Sequence, residues 1–286
     1  MKRRARPPAP AVLLAALTGL VVGCAPARDA VQVTYIANEG FLIQSGPDKV
    51  IIDALFHDDA LDYCDVPSAE LLARIESGTP PFADIDLLLV THAHVDHFDA
   101  ASVARFLKHN RRCRLVCPGP VREALRDTVP GYADMQGRIH VPLTGSDAMA
   151  ATRINGLRVT TLRLPHGAYF MKDEQTGQEY DKHADVVNFG YVVELSGNRL
   201  LHVGDALLHK NREVLTQLGG PIDIAFVEGY DISPESLQLM STVVAPQHVV
   251  YMHLPTQNRQ RLIDAILARD PTATLFTEPL AEKRFR

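Results

Sequence analysis

The chain has 286 residues, room for one large domain or two small ones and ample for a buried core. With 46% apolar and 22% charged residues it has the profile of an ordinary globular protein, and the absence of tryptophan excludes an indole-lined ligand cage. The formal net charge of −5, without a basic stripe or an RNA-binding signature, argues against a phosphate backbone as partner.

The first segment stands apart from the rest. Lys2, Arg3, Arg4 and Arg6 precede an apolar stretch, Ala11 to Val22, that is too short for a comfortable membrane span. It ends in Val21-Val22-Gly23-Cys24, which resembles a bacterial lipobox. This predicts a signal peptide over residues 1–24 ending at a lipidated Cys24, a linker over 25–30, and one domain over 31–286. The protein is then expected to be exported to the bacterial cell envelope, lipid-anchored to a membrane and facing the periplasm or exterior. Loss of residues 1–23 removes four basic and no acidic side chains, taking the charge from −5 to −9 and making nucleic acid a still poorer partner. Beyond Cys24 remain Cys64, Cys113 and Cys117, an odd number, so at least one thiol stays free. If the run between Cys113 and Cys117 is a strand, its rise of about 3.3 Å per residue separates them too far to bridge. All three are expected to be structural.

Val31 to Ile36 alternates and is rich in β-branched residues, and Phe41–Ile43 and Val50–Ile52 follow across a turn at Ser45-Gly46-Pro47-Asp48, which predicts an opening meander. Asn38-Glu39-Gly40 lies between its first two strands. Asp53 to Ala83 is expected to be a polar excursion with one helix over Ser68–Glu76, between Pro67 and Gly78. The run Ile85–Val90, apolar but for Asp86, predicts a strand buried on both faces, and Asp99 the N-cap of a helix reaching Lys108. Leu115-Val116 is a short strand and Val121–Asp127 a short helix. Asn155-Gly156 and Ser196-Gly197-Asn198 are hairpin signals, joining Met149–Ile154 to Leu157–Leu164 and Val186–Leu195 to Leu200–Val203. The closing third alternates helices over Asn211–Leu218, Pro234–Ser241 and Gln257–Ala268 with strands over Ile222–Val227 and His248–Met252. Hairpin sheets in each half, followed by helices, predict two packed sheets covered by helices outside.

Between the strand Ile85–Val90 and the helix at Asp99 stands Thr91-His92-Ala93-His94-Val95-Asp96-His97. Four metal-capable side chains in six residues are not a packing pattern. Imidazole with carboxylate suits zinc, and equally iron or manganese. One such cluster could hold one ion and half of a second, so further ligands are expected just past other strand ends. His166, Asp205 and His253 each occupy that place, after Arg163-Leu164-Pro165, Leu200–Gly204 and Val249–Met252.

Together, Thr91-His92-x-His94-x-Asp96-His97 followed by His166, Asp205 and His253 resembles the metallo-β-lactamase superfamily over about Val31 to His253. The resemblance implies an α/β fold, a four-layer αββα sandwich of two mixed β-sheets flanked by helices. It also implies two divalent metal ions, with zinc the expected one. His92, His94 and His166 would hold the first, Asp96, His97 and His253 the second, and Asp205 would bridge them. Phe98-Asp99 after the motif, with Tyr35-Ile36-x-x-x-Gly40-Phe41-Leu42-Ile43 and Ala245–Val249, is similar to the branch of ascorbate-6-phosphate lactonase and N-acylphosphatidylethanolamine phospholipase D. Ala37-Asn38 departs from the Gly-His common there.

The implied chemistry is hydrolysis of an ester, lactone, amide or phosphodiester in a small-molecule or lipid-like substrate by a metal-bound hydroxide. Asp96 is the catalytic carboxylate, orienting the water or shuttling its proton. Asn38 and His183 are candidate substrate-binding residues, Gly167–Lys182 is a lid or a solvated loop, and His202 is packed or behind the ligands. His57, His109, His140, His209 and His248 receive no role. Two other readings share the motif: a single-iron oxidoreductase resembling persulfide dioxygenases, and a non-catalytic, metal-stabilised envelope lipoprotein.

Overall fold

The alternation in the opening residues becomes three antiparallel strands, β1 (Val31–Ala37), β2 (Gly40–Ser45) and β3 (Asp48–Ile52). They belong to a computed structural model that describes residues 28–58 and 60–286; the signal peptide and Cys24 lie outside the described residues. The apolar run before the histidine motif supplies β4 (Leu87–Leu89), parallel to β3 and buried on both faces as expected. Its side chains alternate: Leu87 and Leu89 join one hydrophobic core, Leu88 the other. The parallel strands β5 (Arg114–Val116) and β6 (Ile139–His140) extend the sheet.

The outer face of this first sheet is covered by α1 (Ala69–Glu76), α2 (Ala100–His109) and α3 (Gly119–Thr128), which bury Leu72, Ile75, Phe106, Leu107, Val121 and Leu125 against Ile51 and Leu88. The starts of α1 and α2 are where the sequence places them. Ser68 accepts from the Leu71 amide and Asp99 from the Ser102 amide, each satisfying a donor that the helix itself leaves unpaired.

The second sheet begins with β7 (Met149–Ile154) and β8 (Leu157–Arg163), joined through Asn155-Gly156, both in the left-handed conformation that a tight hairpin turn requires. A separate small hairpin, β9 (Phe170–Lys172) with β10 (Glu179–Asp181), lies inside Gly167–Lys182 and exposes Phe170, Met171 and Tyr180. Then β11 (Phe189–Leu195) and β12 (Asn198–His202) continue the sheet antiparallel, and β13 (Ile224–Glu228), β14 (His248–Met252) and β15 (Thr274–Leu275) continue it parallel to β12. The helices that follow are α4 (Arg212–Leu215), α5 (Pro234–Leu239) and α6 (Arg259–Leu267), which bury Leu215, Leu239 and Ile266 in the core of this half. The last strand, β16 (Glu282–Phe285), returns to the first sheet and pairs antiparallel with β1.

The result is two mixed seven-stranded sheets with helices, ordered β16-β1-β2-β3-β4-β5-β6 and β15-β14-β13-β12-β11-β8-β7. Three expectations need correction. The helix over Asn211–Leu218 is a short 3₁₀ turn, Leu208–Asn211, running into α4, because buried Asp231 holds the Leu208 amide and Asn211 turns back to the Leu207 carbonyl. The helix over Pro234–Ser241 ends at Leu239 and widens into a π turn, Met240–Val244. Asp53 does not open a polar excursion: Asp53, Ala54, Leu55 and Phe56 are all buried.

Candidate metal centre

Parallel pairing fixes where the donors gather. β3 and β4 run together in the first sheet, β12, β13 and β14 in the second, so the loops after each group open at one edge. Asp53 follows β3 and the motif follows β4; His166 comes just after β8, Asp205 after β12, and His253 directly follows β14. Close backbone approach is needed at two points. A side chain at Gly40 would meet the Asp53 carbonyl at 2.7 Å, and one at Gly204 would meet the Thr91 Cβ at 2.9 Å.

All seven expected metal-binding residues come together. His92, His94, His166 and Asp205 each offer one atom within 4.8 Å of the others, and Asp96, His97 and His253 form a second such group. Asp205 stands between them, with Oδ2 3.2 Å from His166 Nε2 and Oδ1 3.2 Å from His97 Nε2. Asp96 Oδ2 lies 3.6 Å from His97 Nε2 and 3.5 Å from His253 Nε2.

The outward-facing ring nitrogens are nearly all committed, which assigns the tautomers. His97 Nδ1–H donates to Asp53 Oδ2 at 3.0 Å, His253 Nδ1–H to Glu228 Oε2 at 2.8 Å, and His166 Nδ1–H to the Gly167 carbonyl at 2.8 Å. His92 Nδ1–H donates at 3.0 Å to the Thr91 hydroxyl, whose own proton goes to Asp53. The inward nitrogens are left bare. His97 Nε2, His166 Nε2 and Asp205 Oδ1 are buried without a hydrogen-bond partner, and His92 Nε2 meets His94 Nδ1 at 3.0 Å. A buried polar atom without a partner costs roughly 1–3 kcal/mol, so several converging on one point fit a cation. Second partners that fix the imidazoles are what a histidine metal site requires. The residues therefore fit bound metal ions.

Mutual electrostatics follow from this packing. Burial and then His97 hold His92 well below the usual imidazole range, and burial with His166 brings His94 down to about 4. Burial also pushes His97 down, but Asp205 and Asp96 outweigh it and raise the group; Glu228 and Asp205 do the same for His253. Burial opposes ionisation of Asp96, yet His97 and His253 hold its carboxyl down at about 2.

The expected substrate residues divide. His183 lies beside the donors, its ring 4.2 Å from that of His166 and 5.0 Å from that of His94, with Nδ1 on the Gly167 carbonyl. Asn38 is buried, and its amide donates to the Asp96 carbonyl and to Asp96 Oδ2, both at 3.2 Å, so it holds Asp96 instead of facing the cleft. His202 is packed between Phe41 and Phe226, accepts from the Gly204 amide and donates to the Glu39 carbonyl. Cys64, Cys113 and Cys117 are buried and free, in keeping with structural roles.

Sequence reasoning missed three carboxylates: Asp53, Glu228 and Glu39. All three are buried around the second group. Asp53 and Glu228 occupy strand ends, the same signal that identified Asp205, and Glu39 sits in the β1–β2 turn.

A family profile described as Beta-lactamase superfamily domain matches residues 49–271. A protein of Pyrococcus abyssi named a UPF0173 metal-dependent hydrolase is 25% identical over 234 residues, 79% of this chain and 85% of that one. Among solved structures, a metallo hydrolase of Ignicoccus hospitalis superposes with a TM-score of 0.58 at 17% identity, over 90% of this chain and 99% of the other. The diiron β-hydroxylase CmlA of Streptomyces venezuelae superposes with a TM-score of 0.55 at 13% identity, over 92% of this chain and 55% of that one. One fold thus spans hydrolytic and oxidative chemistry, and the donors must decide between them.

Proposed function

The chain belongs to the beta-lactamase superfamily, and within it we propose a metal-dependent hydrolase of an ester, lactone, amide or phosphodiester. One observation carries the reading: imidazole and carboxylate atoms, most of the rings fixed from behind, converge on two adjacent points, three of them buried without a hydrogen-bond partner. His92, His94 and His166 would hold one divalent cation, Asp96, His97 and His253 a second, with Asp205 shared and zinc the expected ion. When bound, such a pair lowers the pKa of water toward about 7 and polarises the bond to be cleaved.

The chain's own groups supply the rest. Asp96, kept ionised and held by the Asn38 amide at Oδ2, takes the proton of the attacking water at Oδ1 and delivers it to the leaving group. Asp53 and Glu228 keep His97 and His253 aimed inward, and the Thr91 hydroxyl does so for His92. His183, with Nδ1 tied to Gly167, presents Nε2 to substrate beside His94. The substrate is a small or lipid-like molecule similar to those of the lactonase and phospholipase D branch, a reading supported by the residues after the motif. Export and a lipid anchor on Cys24 rest on the leader pattern; among the described residues no helix is long and apolar enough to cross a membrane.

A panel of esters, lactones and phosphodiesters tests the proposal. Turnover should vanish on chelation, return with zinc, and be lost in Asp96→Ala. Oxygen consumption with a glutathione persulfide, or an unaltered Asp96→Ala protein, would contradict it.

A further inference from the structure

Glu39 has no role in the scheme above, and its position is the least accountable in the molecule. Its side chain is fully buried in the turn between β1 and β2, and neither carboxylate oxygen has a hydrogen-bond partner. Oε2 lies 3.9 Å from His97 Nδ1 and Oε1 4.0 Å from His253 Nδ1. Both contacts are to the outward nitrogens, so Glu39 stands behind the second imidazole pair and not among the atoms that converge in front.

Three other donors meet it there. Glu39, Asp205, Glu228 and His253 form a group whose atoms all lie within 4.8 Å of one another, the same closeness as the histidine-rich group. His253 Nδ1 is 2.8 Å from Glu228 Oε2 and 3.8 Å from Asp205 Oδ2. Five buried carboxylates, Glu39, Asp53, Asp96, Asp205 and Glu228, share this region. With neutral imidazoles, two divalent cations leave one of those charges uncompensated, and a buried uncompensated charge costs several kcal/mol. Of these five, Glu39 has both carboxylate oxygens buried without a partner.

We propose that Glu39, Asp205 and Glu228, beside the Nδ1 edge of His253, form a third cation position, behind the dinuclear pair, for a hard, oxygen-preferring divalent ion. Three carboxylates with the one nearby imidazole already donating to Glu228 make an oxygen site, which suits magnesium, manganese or calcium better than zinc. The position rests on the dinuclear reading through Asp205, which it shares. It gives the chain a structural ion that stiffens the β1–β2 turn and, through Glu228, the orientation of His253.

Counting ions tests it without any substrate. The chain is loaded with excess zinc and manganese, desalted, and weighed intact by native mass spectrometry, with manganese read by electron paramagnetic resonance. Wild type should hold three ions, manganese among them; Glu39→Gln should hold two and lose the manganese signal, with circular dichroism confirming its fold. Glu228→Gln serves if Glu39→Gln fails to fold, and should lose the manganese signal while keeping two zinc ions; loss of zinc with manganese kept would overturn the third position. Two ions in both wild type and variant would overturn the third position, leaving Glu39 as a neutral acid. No ions in wild type would instead sink the dinuclear reading itself.

Discussion

The two halves of the donor cluster are built differently. Behind His92 and His166 the ring protons go to neutral oxygens, the Thr91 hydroxyl and the Gly167 carbonyl. Behind His97 and His253 they go to buried carboxylates, Asp53 and Glu228, with Glu39 close to both. A carboxylate behind an imidazole makes it a stronger base toward protons as well as cations. The second half is thus built for the tighter grip, and protons compete mainly for it.

The largest effect should come from the residue common to both. Asp205→Asn removes the shared charge, so it should lower hydrolysis by at least about 10²–10³-fold and cost at least one bound ion, by kinetics and elemental analysis. Loss of one half alone, with full occupancy of the other, would show the halves to be less coupled than their geometry indicates. Asp53→Asn should weaken cation affinity about 10–100-fold, chiefly in the half holding His97, in calorimetric titrations. Equal weakening of both halves would mean that the path through Thr91 to His92 matters as much.

The pH dependence sharpens the contrast further. In the metal-free protein, His97 and His253 sit above the ordinary value of 6.5, so the stability they contribute is complete below that value and lost as pH rises through their raised range. Cation loading runs the other way, since bound imidazoles must be neutral. Falling pH should therefore empty the second half first: there Asp205 and other carboxylates raise both imidazoles, whereas in the first half only His166 is raised, by Asp205, and burial holds His92 and His94 below 6.5. Simultaneous loss from both halves would break the distinction. The smallest effect is a control on the scaffold: Asp99→Ala removes the α2 cap and should cost about 1 kcal/mol in denaturant unfolding with no change in ion content.

Much of this was legible in the sequence because local chemistry and tertiary structure agree. Leu87–Val90 is apolar throughout and its strand is buried on both faces; Asn155-Gly156 can turn only one way; Asp99 caps where a helix must begin. The histidines and Asp205 stand out because such residues at strand ends have few other uses. What stayed hidden depends on distant partners. β16 is a short edge strand burying only Phe285, so it has no apolar alternation to betray it. β9 and β10 are exposed and pair only with each other. Asp53, Glu228 and Glu39 look like ordinary surface carboxylates until chain segments far away bring imidazoles to them. Asn38 was legible as a turn residue near the cleft, but its contact with Asp96 arises only when the β1–β2 turn meets the motif loop.

The inward nitrogens and oxygens are assigned to divalent cations. Elemental analysis of the chain purified without chelators tests this assignment most directly. The account predicts at least two divalent transition-metal ions per chain, with fewer in Asp205→Asn. Protein that is folded, binds none as purified and takes none up on addition of zinc would contradict it.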